Sequence, residues 1–367
     1  MKIAMFGHKR VPTREGGIEI VVGELSCRMA ALGHDVTCYN RGGRSADSST
    51  LNGELGNVRL KTVPTLDKKG LAAVTSSFFA ALHCAFSKAE VVHIHAEGPA
   101  FMCWLPKLLG KKVVVTVHGL DWQREKWQNG FGAKYIHWGE KMAVRFADEI
   151  IVLSRNLQQY FRDTYNRETV WIPNGITEPQ KKESLEIKEN FALEKDGYVL
   201  FLGRLVPEKG IHYLLEAWKD LKTEKKLVIA GDTSDTDVYV QRLKKMAGEM
   251  PDVLFTGFVT GRSLEELYSN AYLYTLPSDV EGMPLSLLEA MSYGSCCVVS
   301  DIPECAEVVE AHAVLFQRGN VEDLRACLQK LCDCPELVHS YRENAAEYIC
   351  GKYNWDDVTE RTLELYQ

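Results

Sequence analysis

Residues 2–40 read KIAMFGHKRVPTREGGIEIVVGELSCRMAALGHDVTCYN, and this stretch decides the fold class. A short apolar run from Lys2 to Gly7 leads into a helically periodic segment, Gly17 to Gly33, and then into a second apolar run, HDVTCYN at 34–40. In the helical segment Ile18, Val21, Val22, Leu25, Met29 and Leu32 fall on one stripe, and Gly33 stands where a left-handed C-cap is wanted. The alternation continues with VVHIHA (91–96), KVVVTVHG (112–119), EIIVLS (149–154) and TVWIPNG (169–175). Strands alternating with helices predict an α/β fold, a doubly wound parallel sheet covered on both faces.

Beyond Ile176 the chain turns polar and unpatterned from Thr177 through Gly197, and alternation then resumes with YVLFLGR (198–204), KLVIAGD (226–232), VLFTGF (253–258), AYLYTLPS (271–278) and CCVVSD (296–301). The expected domains are therefore 1–176 and 177–367, both Rossmann-like, with the last helix able to pack back on the N-terminal domain. A length of 367 residues suits two such domains. The natural ligand site of the pair is the crevice at the carboxyl ends of the strands, between the domains.

Forty-three Lys and Arg against 50 Asp and Glu give a net charge of -7, which argues against a whole-protein clamp on nucleic acid. Hydrophobic residues make up 46% and charged residues 25%, the balance of a folded globular chain rather than a disordered one. Eleven cysteines, with no C-x-x-C among them, suggest neither a disulfide framework nor a zinc ribbon, and point to the reducing cytosol. The N-terminus reaches His8, Lys9 and Arg10 too soon for a signal-peptide core. The uncharged stretch from Gly70 to Ser87 carries Thr75, Ser76, Ser77 and His83 and reads as a buried helix rather than a membrane span.

Gly7, Gly16 and Gly17 do not make a G-x-G-x-x-G after the first strand, and no G-x-x-x-x-G-K-[ST] occurs, so dinucleotide and P-loop chemistry are disfavoured. Two other segments carry the chemistry of a ligand site. GRLVPEKG, Gly203 to Gly210, follows a strand and opens a helix, and it brings Arg204 and Lys209 to a helix N-terminus, where a diphosphate is attracted. SDVEGMPLSLLEAMSYG, Ser278 to Gly294, has Glu281 ahead of a helix starting near Pro284 and Glu289 within it. Carboxylates accept from sugar hydroxyls, and the amides at Met283, Leu285 and Ser286 are free to meet phosphate or sugar oxygens. Taken alone, each segment could equally be a solvated loop beside an ordinary helix.

Together, GRLVPEKG and EGMPLSLLEAMSYG resemble family 4 of the retaining glycosyltransferases, whose GT-B fold sets two Rossmann-like domains face to face. The start, GHKRVPTREGGIEIVVGELSCRMAALGHDVTCYNR (7–41), and the middle, VTVHGLDWQREKW (115–127), are similar to the branch that builds bacterial capsular and cell-surface polysaccharides, rhamnosyltransferases included. The resemblance implies that Arg204 and Lys209 bind the donor diphosphate, that Glu289 holds the ribose and that Glu281 contacts the donor sugar. It further implies that Gly16 and Gly17 close over the phosphates, that His118 approaches the sugar from the opposite domain, and that Gly203, Gly282, Met283, Pro284, Leu285 and Ser286 line the donor. The nucleobase would lie near Thr256 to Val259. The implied reaction transfers a hexosyl or rhamnosyl unit from a nucleotide-sugar, a UDP- or dTDP-sugar, with retention and without a metal or other cofactor. Cys296-Cys297 and IPECAEVV (302–309) depart from the family pattern and leave the donor sugar open.

A sugar-nucleotide epimerase or a non-catalytic nucleotide-sugar-binding protein of the same fold is the alternative function. Asp235-x-Asp237 could be the metal-binding pair of the GT-A fold, but reads as a polar loop and helix start. His93-x-His95 is read as alternating faces in its strand, with one of the two in the core. Trp122, Arg124, Lys126 and Trp127 interleave rings with cations, which suits a lipid-linked saccharide acceptor and a peripheral contact with the inner face of the cell membrane. The other reading packs both tryptophans on the helix that follows.

Overall fold

The computed structural model describes residues 1–43, 52–66, 68, 70–120, 122, 131–233, 237–248 and 250–367. It divides into two compact units, Met1–Gly175 with Trp355–Gln367, and Ile176–Asn354.

The first unit is built on β1 (Lys2–Phe6), β2 (Asp35–Arg41), β3 (Asn52–Leu55), β4 (Val58–Val63), β5 (Val91–His95), β6 (Lys112–Val117), β7 (Glu149–Val152) and β8 (Val170–Trp171). Their order is β3-β4-β2-β1-β5-β6-β7-β8. All pairings are parallel except β3 with β4, so an antiparallel hairpin edge departs from the all-parallel expectation. The central strands are buried on both faces, which is why they read as unbroken Val and Ile runs. The helix Gly17–Ala31 buries Val21, Val22, Leu25 and Met29. Leu32 leaves the expected stripe and is exposed, because the helix ends at Ala31 and Gly33, at φ +87°, turns the chain away. The terminal helix Trp355–Glu364 packs on Gly17–Ala31, with Arg28 donating to Asp356 at 2.9 Å.

The helix Leu71–Phe86 occupies the uncharged stretch, but it is buried on one side only. Its fully buried residues are small, Ser76, Ser77, Ala80, Ala81, Cys84 and Ala85, with Val74 and Phe79 half-buried against the core, while Leu71, Phe78 and Phe86 are exposed. The expectation of a buried helix is corrected in that respect. Among the described residues no helix is long and apolar enough to cross a membrane.

The second unit holds β9 (Tyr198–Leu202), β10 (Lys226–Ala230), β11 (Val253–Gly257), β12 (Leu273–Leu276), β13 (Cys297–Ser300) and β14 (Val314–Phe316). The order is β11-β10-β9-β12-β13-β14, parallel throughout. The polar stretch ahead of it carries a short helix, Glu186–Phe191, whose start is held by Glu266 accepting from the Leu185 and Ile187 amides at 2.9 and 3.1 Å.

In each unit the strand order reverses once. The reversal falls between β1 and β5 in the first and between β9 and β12 in the second, and the loops leaving those strands diverge into a crevice at their carboxyl ends.

Candidate active site

In the second unit GRLVPEKG leaves β9 and SDVEGMPL leaves β12, so both sequence motifs flank the reversal point. The two loops are tied together by backbone. Gly210 has φ +66°, and a Cβ on it would come within 1.9 Å of the Pro277 carbonyl oxygen, so only glycine permits this approach. The Asp279 amide donates to Glu208 O at 2.8 Å. Gly231, at φ +145°, lies as tightly against the Gly203 carbonyl.

That contact brings Lys209 to Glu281. Lys209 Nζ donates to Glu281 Oε1 at 2.5 Å, with the two side chains 12% and 9% exposed. The same Oε1 accepts from Ser278 Oγ at 2.6 Å, and the Ser278 carbonyl accepts from Ser300 Oγ on β13 at 2.6 Å. The sequence reading gave Lys209 and Glu281 separate tasks; the structure makes them one ion pair. Ser278 is an addition that spacing alone could not supply. Nearby, burial raises the Asp279 carboxyl above its ordinary range, and its Oδ2 accepts from Tyr213 OH at 3.2 Å.

The helix Leu285–Ser292 opens directly after Pro284. The Leu287 and Leu288 amides return to Pro284 O, leaving the Leu285 and Ser286 amides at the open end of the helix. Ser286 Oγ accepts from Tyr274 OH at 2.8 Å, and Glu289 Oε2 from Tyr268 OH at 2.9 Å. Gly282, Met283 and Pro284 are buried, whereas Arg204, Gly203 and Glu289 are half-buried. The unit thus gathers Arg204, Lys209, Glu281, Glu289 and a helix N-terminus around one reversal point. Thr256 and Gly257 end β11, and Phe258, exposed, and Val259 follow it.

The first unit carries the remaining residues, Gly16 and Gly17 in the loop and helix start after β1 at its reversal point and His118 after β6, one strand beyond it. Gly16 precedes the helix Gly17–Ala31; a Cβ there would meet Glu19 Oε2 at 2.3 Å, and Glu19 is held by the Lys9 amide at 2.7 Å. His118, just past β6, shares a hydrogen bond with His95 at 3.1 Å between His118 Nε2 and His95 Nδ1. His93 and His95 are both fully buried, their rings stacked with centroids 4.2 Å apart. The reading that they alternate faces is corrected, because residues two apart on a strand share a face. His93 is bonded to Tyr366 OH at 2.6 Å and Thr116 Oγ1 at 2.7 Å, and His8 to Asn40 Oδ1 at 3.0 Å. Burial lowers the pKa of His93 to about 3 and of His8 to about 4, and pushes His95 well below the ordinary value. His95 is the residue the sequence reading undervalued.

Of the segment after His118, Trp122 is described. Its ring stacks on His137 of the helix Phe131–Phe146 with centroids 4.9 Å apart and packs against the core. Arg124, Lys126 and Trp127 lie outside the described residues, as does Asp235, while Asp237 opens the helix Asp237–Ala247.

The family model of the group 1 glycosyl transferases matches residues 183–348, and that of glycosyltransferase family 4 matches residues 15–178. An uncharacterized glycosyltransferase of Methanocaldococcus jannaschii is 26% identical over 100% of this chain and 98% of its own length. Among solved structures, sucrose-phosphate synthase from Thermosynechococcus elongatus superposes with a TM-score of 0.86 at 20% identity, covering 100% of this chain and 98% of that one. HepE of Anabaena in complex with UDP-glucose gives a TM-score of 0.82 at 17% identity, covering 99% and 98%. Two Rossmann-like units, with the family 4 model on the first half and the group 1 glycosyl transferase model on the second, make this chain a GT-B glycosyltransferase of family 4.

Proposed function

We propose that the chain moves a hexosyl or rhamnosyl unit from a UDP- or dTDP-sugar to a hydroxyl of a lipid-linked saccharide, with retention, in cell-surface polysaccharide assembly. The observation that carries this reading is the Lys209–Glu281 pair beside the open end of the helix Leu285–Ser292. In the reaction the bond from the anomeric carbon to the diphosphate breaks and a bond to the acceptor oxygen forms, while the acceptor proton passes to the departing phosphate. Negative charge grows on that phosphate, and cations already fixed beside it lower the barrier. Lys209 is fixed by Glu281, and Arg204 stands on the same loop. In this reading Glu289, which accepts from Tyr268 OH, also accepts from ribose hydroxyls, and Glu281 offers its second oxygen to the sugar. Because the positive charge comes from side chains, the proposed reaction needs no metal.

The work site proposed is the cytoplasm, with a peripheral contact on the inner membrane face to which Arg124, Lys126 and Trp127 contribute. All eleven cysteines are free thiols, in keeping with a reducing compartment.

The test is a thermal-shift screen of UDP-, dTDP- and GDP-sugars, since a bound donor raises apparent stability by mass action, followed by product analysis with labelled donor and lipid-linked acceptor. A UDP- or dTDP-sugar should stabilise the wild type and lose that effect in Arg204→Ala/Lys209→Ala. Conversion of the sugar without acceptor would identify an epimerase instead.

A further inference from the structure

Six of the thirteen exposed large apolar side chains among the described residues, Leu71, Phe78, Phe86, Leu108, Leu109 and Trp138, lie on one layer of the first unit. That layer is made by the helices Leu71–Phe86, Trp104–Leu108 and Phe131–Phe146, packed side by side through the short helix Glu97–Ala100. Leu71–Phe86 is inverted for a water-facing helix, with alanines and serines turned to the core and Phe78 and Phe86 turned out, Phe86 being 75% exposed. Leu108, 68% exposed, and Leu109 continue the apolar surface. Lys111 Nζ donates to Ser87 O at 2.8 Å and holds that turn beside the end of the first helix.

The third helix supplies charge. Lys134, Trp138, Lys141 and Arg145 are all exposed and fall at i, i+4, i+7 and i+11, one face of the helix. The carboxylates carried by these helices are turned inward: Glu97 is 1% exposed, and Glu140 is fully buried and accepts from Tyr160 OH at 2.9 Å. The layer therefore presents phenylalanine and leucine edged by lysine, arginine and one tryptophan, with no exposed acid on its helices.

We propose that this layer is a docking surface for an anionic lipid bilayer. Apolar side chains reach the acyl boundary, Trp138 suits the interface, and the cations meet anionic headgroups. A second copy of the chain fits poorly, because a two-fold contact would set the basic stripe against itself. The inference rests on the peripheral-membrane part of the function proposed above, and on none of its donor chemistry.

Flotation of the full chain with phosphatidylglycerol vesicles diluted in phosphatidylcholine tests it, with no donor or acceptor present. The wild type should float, less so as salt rises. Lys134→Gln/Lys141→Gln/Arg145→Gln should reduce partitioning on the order of 100-fold, and Phe86→Asp/Leu108→Asp about tenfold or more, both keeping the wild-type melting temperature. Lys244→Gln, exposed on the other unit, should float as wild type. Wild-type flotation with both layer variants unaffected would overturn this surface while leaving membrane contact standing. No flotation of the wild type would overturn both, and leave the transferase assay untouched. Loss of a dimer in size exclusion by Phe86→Asp/Leu108→Asp, without loss of flotation, would assign the face to a second copy and overturn the proposal.

Discussion

Replacing Lys209 by methionine removes one partner of an ion pair whose side chains are 12% and 9% exposed. Breaking a buried pair from one side costs about 3–5 kcal/mol, since the remaining charge is left desolvated. Glu281 keeps its hydrogen bond from Ser278 Oγ at 2.6 Å, which places the expected loss at the lower end, about 3 kcal/mol. At roughly 2–4 °C per kcal/mol for a unit of this size, the melting temperature should fall by about 6–12 °C. Lys209→Met/Glu281→Gln removes both charges and should recover most of the loss, giving a coupling energy of about 2 kcal/mol in the double-mutant cycle. Turnover should behave differently. A hydrogen bond to a charged group contributes about 1.5–3 kcal/mol, so Lys209→Met should lower kcat/KM roughly 10–150-fold, and the double variant should regain stability without regaining activity. Calorimetry of the four proteins with product assays on the same samples checks both halves. A melting temperature for Lys209→Met within a degree of wild type, or strictly additive losses, would refute the buried-pair argument; full turnover in Lys209→Met would refute the phosphate role.

Arg204→Ala should lower kcat/KM by a similar 10–150-fold with little change in melting temperature, and unchanged turnover would remove Arg204 from the donor site. Gly210→Ala should destabilise by about 2 kcal/mol or more in urea melts, because its Cβ meets the Pro277 carbonyl in a left-handed backbone. Gly23→Ala, on an open helix face, should instead stabilise by about 0.5–1 kcal/mol, and equal effects at the two glycines would contradict the packing described. Activity should persist in EDTA; abolition restored by manganese would assign the charge stabilisation to a metal. Stability should fall as pH drops: His8 and His93 are held neutral by burial, at about 4 and about 3 against an ordinary 6.5, so between these values the unfolded chain binds protons that the folded one does not. The contribution is whole above pH 6.5 and declines below it by up to about 1.4 kcal/mol per pH unit for each histidine. His93→Gln should flatten that slope in urea melts between pH 7 and pH 5, and an unchanged slope would show the histidine is not the source.

What the sequence disclosed depends on which forces are local. Strands buried on both faces, such as Val113–Val117 and Val199–Phe201, announce themselves as apolar runs. The hairpin β3–β4 and the short strand β14 lie at sheet edges, where alternating or polar residues blur the signal. Arg204, Lys209, Glu281 and Glu289 were legible as residue types in motifs, and the ion pair was not. It exists because β12 is neighbour to β9 in space although two strands intervene in the chain, a property of strand order rather than of either loop. Ser278 escaped notice for the same reason, since its role follows from where Glu281 is carried. His95 could have been found by a better use of local geometry, for residues at i and i+2 in a strand share a face, and a buried imidazole needs a partner. The helix Leu71–Phe86 shows the opposite limit: apolar composition measures how much greasy surface a helix has, but its direction is set by whichever side the neighbouring helices cover. Here the fully covered side is alanine, serine and cysteine, with Phe79 half-buried beside it, and Phe78 and Phe86 are left facing out.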